Sequence, residues 1–271
     1  MHGLNVSRAQ DPPINRIRVD GTLREFKIAI ADGELQELQD RLARTRWPAE
    51  LPGVGWARGV PLGYLRELAE YWRTQYDWRR HDARVNELPQ FVATIDGQRI
   101  HFPHVRSPEP GALPLILNHL WPGSFLEFIE LIGTLADPVG HGGDSDDAFH
   151  VVCPSIPGFG FSVPVRDGGW EVRRIARAFA TLMSTLGYQR YAAHGGDWGS
   201  RISRELGVAE PERLVGIHLS TLITLPPRDA AELGELTEAE QQRLQANARF
   251  LQDGAGYFAI QSTRPQTIAY G

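Results

Sequence analysis

The stretch Gly195-Gly196-Asp197-Trp198-Gly199 sets an aspartate between small residues two positions away on either side. Strand-like "RYAAH" leads into it and helix-like "WGSRISREL" leads out. A nucleophile held on a sharp strand-to-helix turn needs small neighbours, because the chain closes on itself there and lifts the central side chain clear of the sheet. A carboxylate in that place suits a substrate whose electrophilic carbon carries a leaving group, which it can displace to form an ester. The positive end of the following helix and its free N–H groups favour the ionised carboxylate. The same residues also read as an ordinary cap, since Asp before an apolar-periodic run commonly closes a helix N-terminus.

A second stretch bears on that choice. After "LPLILN" comes His119-Leu120-Trp121-Pro122-Gly123-Ser124. A loop following such a strand supplies one oxyanion-binding N–H, and the residue after the nucleophile supplies the other. This assigns the backbone N–H groups of Trp121 and Trp198 to one site, with His119 beside them. His119 equally reads as a loop histidine that satisfies local backbone. A third stretch, "PSIPGFGFSVP", offers Gly158 and Gly160 for close backbone approach. Its spacing is not G-x-G-x-x-G and no Walker lysine follows, so it makes no case for a nucleotide.

Positioning these loops is the work of an alternating series of elements. "LPLILN" and "FHVVCP" are continuous apolar runs, as expected of strands buried on both faces. Helix-like segments lie between and after them, over Phe125 to Leu135 and in "VRRIARAFATLMSTLGY". In the latter Ile175, Phe179, Leu182, Met183 and Leu186 share one face and Gly187 stands at the C′ position. Strand-like "RLVGIHLS" completes the series, and Asp96-Gly97 in "FVATIDGQRIHFPHV" marks a type I′ hairpin ahead of it. Two amphipathic helices precede the sheet. One runs through Leu35, Leu38, Leu42 and Trp47, with Asp32 as its N-cap and Pro48 as its stop; the other runs through Leu62, Leu65, Leu68 and Trp72. Both read as packing against a neighbour. From Thr221 onward the alternation breaks into a Pro-Pro turn and the polar helix-like "LTEAEQQRLQANARF".

With 271 residues, 42% of them hydrophobic, the chain can bury a full core. Net charge is -5 and charges of both signs are interspersed, which excludes a phosphate-tracking basic face and hence nucleic acid as a partner. The single cysteine, Cys153, excludes an internal disulfide and a cysteine-rich metal site, and its apolar setting reads as a small buried hydrophobe in a reducing compartment. No metal or organic cofactor is indicated. No membrane span or secretory leader is legible, so the expectation is a soluble, cytoplasmic protein.

Taken together and in order, "HLWPGS", "PGFGFS" and "GGDWGS", behind "LARTRWP" and "YLRELAEYW", resemble the α/β-hydrolase epoxide hydrolases of the microsomal or juvenile-hormone type, from about Phe26 to the last residue. The resemblance implies an α/β fold with a mostly parallel sheet flanked by helices. A helical N-terminal segment over 1–90 would wrap a core over 91–222, with the start of a helical cap over 223–271. It implies an enzyme that opens a small-molecule epoxide to a vicinal diol, with Asp197 forming an alkyl-enzyme ester and Tyr257 assisting the leaving oxygen. Trp121 and Trp198 match the positions that line the oxyanion site. Haloalkane dehalogenase chemistry and a non-catalytic interaction protein are the alternatives. Two departures follow. The family's His-Gly-Trp-Pro has Leu120 in place of glycine, which implies a strained or shifted loop. Of the nine histidines only His218 lies beyond Asp197, in a strand-like run that reads as core or strand end, so the water-activating base is not matched. On this resemblance the chain stops midway through the cap, before the base histidine, its acid partner, a second tyrosine and the last strands. The strand through His218 would then be a bare edge open to a homo-oligomeric or complementing partner.

Overall fold

In the computed structural model, residues 23–222, 234 and 236–270 are described. The chain forms two compact units, Met1–Leu222 and Ile223–Gly271. Within the first, three strands come early: β1 (Arg24–Phe26), β2 (Gln90–Ile95) and β3 (Gln98–Val105), with the helices α1 (Asp32–Ala43), α2 (Leu62–Thr74) and α3 (Trp78–Val85) between β1 and β2. Then β4 (Leu113–Asn118), α4 (Ile129–Ala136), β5 (Phe149–Val152), α5 (Val172–Thr185), β6 (Tyr191–Gly195), α6 (Trp198–Ala209) and β7 (Leu214–Leu219) alternate. The seven strands form one sheet in the order β1-β2-β3-β5-β4-β6-β7. Its first three strands and the β3–β5 pairing are antiparallel, and the β5–β4, β4–β6 and β6–β7 pairings are parallel.

The apolar run of β4 is continuous because its two faces are both covered. Ile116 packs with Phe179, Leu182 and Met183 of α5 and Ile202 and Leu206 of α6, while its neighbours Leu115 and Leu117 pack on the other face with Phe125, Phe128 and Ile132. Cys153 is fully buried among the latter group, and burial pushes its thiol pKa well up, as befits an inert core residue. The β2–β3 hairpin turns through Asp96 (φ 52°) and Gly97 (φ 72°), both left-handed as a type I′ turn requires. At the end of α5, Gly187 (φ 87°) follows the C-cap Leu186 and lets Tyr188 N–H return to the Met183 carbonyl.

Two expectations for α1 need correction. Asp32 is the first helical residue rather than the cap; Ala31 holds the cap position without a side-chain bond, and the Asp32 carboxylate pairs with Arg79 of α3. The helix stops at Ala43, before Trp47. Arg44 Nε and Thr45 Oγ1 take up the carbonyls of Asp40 and Arg41, and Trp47 precedes a proline, which disfavours helical backbone. The second unit carries α7 (Glu238–Asp253), α8 (Gly256–Thr263) and α9 (Pro265–Tyr270). Thr237 and Glu240 cap α7 reciprocally, each side chain meeting the other's backbone N–H.

Candidate active site

The site grows from the C-terminal ends of two adjacent parallel strands, β4 and β6, where Asn118 stands opposite Gly195. Asp197 follows β6 by two residues and takes φ 48°, ψ -115°. Together with the hairpin's Asp96 it makes up the non-glycine residues at positive φ among those described. An L-residue held there costs on the order of 1–3 kcal/mol, so the surroundings must impose it. They do so by tightness. A Cβ on Gly195 would lie 2.1 Å from the Gly199 carbonyl oxygen, and one on Gly199 would lie 1.9 Å from the Asn118 carbonyl oxygen. Both obstacles are backbone, which cannot step aside, so glycine is required at each place.

Asp197 occupies the N-cap position of α6, but its side chain makes no capping hydrogen bond. Its Oδ1 instead accepts from the backbone N–H of Trp121, 3.2 Å away across 76 positions of sequence. The cap reading thus holds for position and fails for the side chain. The first-turn N–H of Trp198 has no hydrogen-bond acceptor among the described residues, as expected at a helix start, and the Trp198 ring lies under the Arg201 guanidinium at 5.0 Å.

His119 is fully buried, and both ring nitrogens serve backbone. Ile156 N–H donates to Nε2 at 3.0 Å, so the proton resides on Nδ1, which donates to the Leu120 carbonyl at 2.8 Å. Burial pushes its pKa down and keeps the ring neutral. The Leu120 carbonyl and the Trp121 N–H belong to one planar peptide and point in opposite directions. Fixing the carbonyl on His119 therefore aims the N–H at Asp197. His119 acts through the loop and presents no free ring nitrogen to a ligand.

The strain expected at Leu120 is absent, because its φ is not positive. Leucine is accommodated with its side chain partly in solvent, while its N–H meets Glu127 Oε2 at 3.3 Å. Glu127 and Phe159, whose ring stands edge-on to Trp121 at 6.4 Å, were not singled out from sequence. Ser124-x-x-Glu127 carries a capping-box spacing that could have pointed to the first. Burial, helped by the nearby Asp197 charge, raises the Glu127 pKa. The glycines of the third stretch perform as expected. Gly158 (φ 92°) and Gly160 (φ 51°) turn the loop that reaches His119, and a Cβ on Gly160 would meet Ser155 Oγ at 2.8 Å.

Tyr257 lies on α8 in the second unit, 57% exposed. His218 is on β7 as read, but exposed rather than in the core, with its Nδ1 2.8 Å from Nδ1 of His194 on β6. Among the described residues no three His, Cys, Asp or Glu side chains are grouped to hold a metal ion, and no helix is long and apolar enough to cross a membrane.

Comparison with known proteins gives two family matches: an epoxide hydrolase N terminus over residues 23–128 and an alpha/beta hydrolase fold over residues 114–259. A Stigmatella aurantiaca (strain DW4/3-1) protein with a provisional epoxide hydrolase name is 46% identical over 245 residues, covering 90% of this chain and 55% of its own. Epoxide hydrolase 1 of Sus scrofa is 36% identical over 265 residues, covering 92% of this chain and 58% of its own. The chain therefore spans a little over half the length of these relatives. Among solved structures, epoxide hydrolase from Aspergillus niger matches with a TM-score of 0.78 at 31% identity, over 93% of this chain and 66% of its own.

Proposed function

The chain belongs to the α/β-hydrolase fold family, with an epoxide hydrolase N terminus ahead of the fold, and on that premise we propose that it hydrolyses small epoxides to vicinal diols through an ester on Asp197. The observation that carries the proposal is the hydrogen bond from Trp121 N–H to Asp197 Oδ1. It gives the two carboxylate oxygens different tasks. Oδ1 is held, so Oδ2 is the one free to attack an oxirane carbon, whose C–O bond breaks as the new ester bond forms. The departing oxygen leaves as an alkoxide and takes a proton from the Tyr257 phenol, a contribution of ~10²–10⁴-fold for a well-placed acid.

After attack, Oδ1 is the ester's carbonyl oxygen. Water adding to that carbonyl puts negative charge on Oδ1, where Trp121 N–H already points and the free N–H of Trp198 adds a second donor. Loss of one such donor typically costs ~10²–10³ in rate. The tetrahedral intermediate collapses by releasing the diol and restoring the carboxylate. No residue is assigned as the base for water, since the ring of His218 is engaged with His194.

The same proposal divides the chain into a helical N-terminal segment over 1–90, a core over 91–222 and the start of a cap over 223–271, of which 1–22, 223–233, 235 and 271 lie outside the described residues, and it assigns the protein to the cytoplasm. It also includes a homo-oligomeric or complementing chain along β7, which is the last strand of the sheet and exposes Val215 and Ile217.

Incubation with styrene oxide tests the reading. Styrene glycol or a covalent styrene adduct should form with the native chain and not with the Asp197→Ala variant. Equal product from both, or none from a folded native sample, would overturn it. Halide release from a chloroalkane in place of diol would replace epoxide opening with dehalogenation.

A further inference from the structure

Glu127 stands on the short 3₁₀ turn Phe125–Phe128, between β4 and α4, with the buried rings of Phe125 and Phe128 anchoring the turn in the core. Its own side chain is exposed. Three residues after the N-cap Ser124, a glutamate is expected to complete a capping box. That part is met: Ser124 Oγ accepts from Leu126 N–H, and the Ser124 backbone bonds the Glu127 carboxylate. A further contact is one that a cap does not need. Leu120 N–H, seven residues back, donates to Glu127 Oε2 at 3.3 Å. Gly123 leaves room for the carboxylate, since a Cβ there would lie 1.8 Å from Glu127 Oε1. The carboxylate therefore spans the loop, meeting it at Leu120, Gly123 and Ser124.

Leu120 is the joint on which the Trp121 N–H turns. Peptides are planar, so only φ and ψ of Leu120 separate the plane that carries Leu120 N–H from the one that carries the Leu120 carbonyl and Trp121 N–H. His119 fixes the second plane through the carbonyl, and Glu127 fixes the first through the N–H. With both planes held, neither angle is free to swing Trp121 N–H away from Asp197 Oδ1. We infer that Glu127 is a positioning residue for the ester chemistry of Asp197, its side-chain oxygen holding Leu120 so that Trp121 N–H stays on Oδ1. The consequence for rate rests on the proposed reaction; the placement rests on the geometry alone. Burial and the nearby Asp197 charge raise the Glu127 pKa, so a second negative charge is a cost here. The task needs only an acceptor oxygen, which glutamine also has.

Two readouts on the full chain test this. Labelling with ¹⁵N at tryptophan resolves the Trp121 backbone amide, whose hydrogen exchange should be about ten-fold faster in Glu127→Ala, with the Trp78 and Trp170 amides unchanged. Glu127→Gln should restore the native rate. In quenched reactions with styrene oxide, Glu127→Ala should slow loss of the Asp197 ester about ten-fold, because the N–H that meets the developing charge is no longer held, and leave ester formation nearly unchanged. A merely structural role would move both steps together and would not be rescued by glutamine. Gly123→Ala pushes the carboxylate aside without removing it; it should reproduce the effect of Glu127→Ala and add little in that background. Should Glu127→Ala fail to fold, Gly123→Ala decides. Unchanged Trp121 exchange in either folded variant, or a glutamine variant as impaired as the alanine one, would overturn the inference. Absence of any ester in the native chain would instead sink the proposed reaction and leave the amide result to decide the placement.

Discussion

The turn from β6 into α6 and the helix α2 use glycine and exposed side chains in opposite ways. At Gly195 and Gly199 a single added carbon would collide with backbone, whereas at Gly63 of α2 it would meet nothing within 4 Å. Asp197 is held at positive φ and the helix it opens buries Gly199, Ser200, Ile202, Ser203 and Leu206, while α2 buries no residue and leaves Tyr64, Leu68, Tyr71 and Trp72 substantially exposed. Rigidity is thus concentrated where a carboxylate must stand in a costly conformation. The helical segment before the sheet is held by a few ion pairs and an incomplete apolar seam.

Substitutions can sharpen that contrast. Gly199→Ala should have the largest effect, about 3 kcal/mol of lost stability or no soluble product, because the obstruction is the Asn118 carbonyl; thermal unfolding measures it. Acid should act next, through the buried histidines of β3 rather than through α2. His101 and His104 are buried, and burial lowers their pKa values to about 3 and about 4. The unfolded chain binds protons at these histidines from about pH 6.5 downward and the folded chain does not, so stability falls with pH between 6.5 and those values. At pH 5.5 the loss should be about 1.4 kcal/mol for each, and urea unfolding at pH 7.5 and 5.5 should show it, with a smaller difference in His101→Gln. Asp197→Gly should raise stability by about 1 kcal/mol by relieving the left-handed backbone, while removing all covalent reaction with an epoxide. A fall in melting temperature would mean that the turn is not strained. Gly63→Ala should raise stability by about 0.5 kcal/mol or less, the smallest change, since it only replaces an exposed glycine in the first turn of a helix.

What was legible in the sequence follows the same division. Asp96-Gly97, Gly187, and the small residues around Asp197 state backbone requirements in single residues, and each requirement is met in the fold. The paired apolar faces of β4 were legible for a similar reason, because a strand covered on both sides leaves no place for alternation. Long-range side-chain pairings were not legible. Nothing near Asp32 announces Arg79, so the carboxylate reads as a cap. Nothing near His119 announces Ile156 N–H, so its ring reads as a site group when it holds the loop through Trp121 in register. Leu120 was misjudged because the family's glycine suggests a left-handed position that this loop does not use.

The central claim is that Asp197 on the strained turn is a nucleophile whose Oδ1 is held by Trp121 N–H. Intact mass followed by peptide mapping, after brief exposure to styrene oxide and acid quenching, tests it most directly. The account predicts a gain equal to one epoxide, carried by the peptide that contains Asp197 and absent from Asp197→Ala. A gain mapped to any other residue, or retained in the alanine variant, would contradict it.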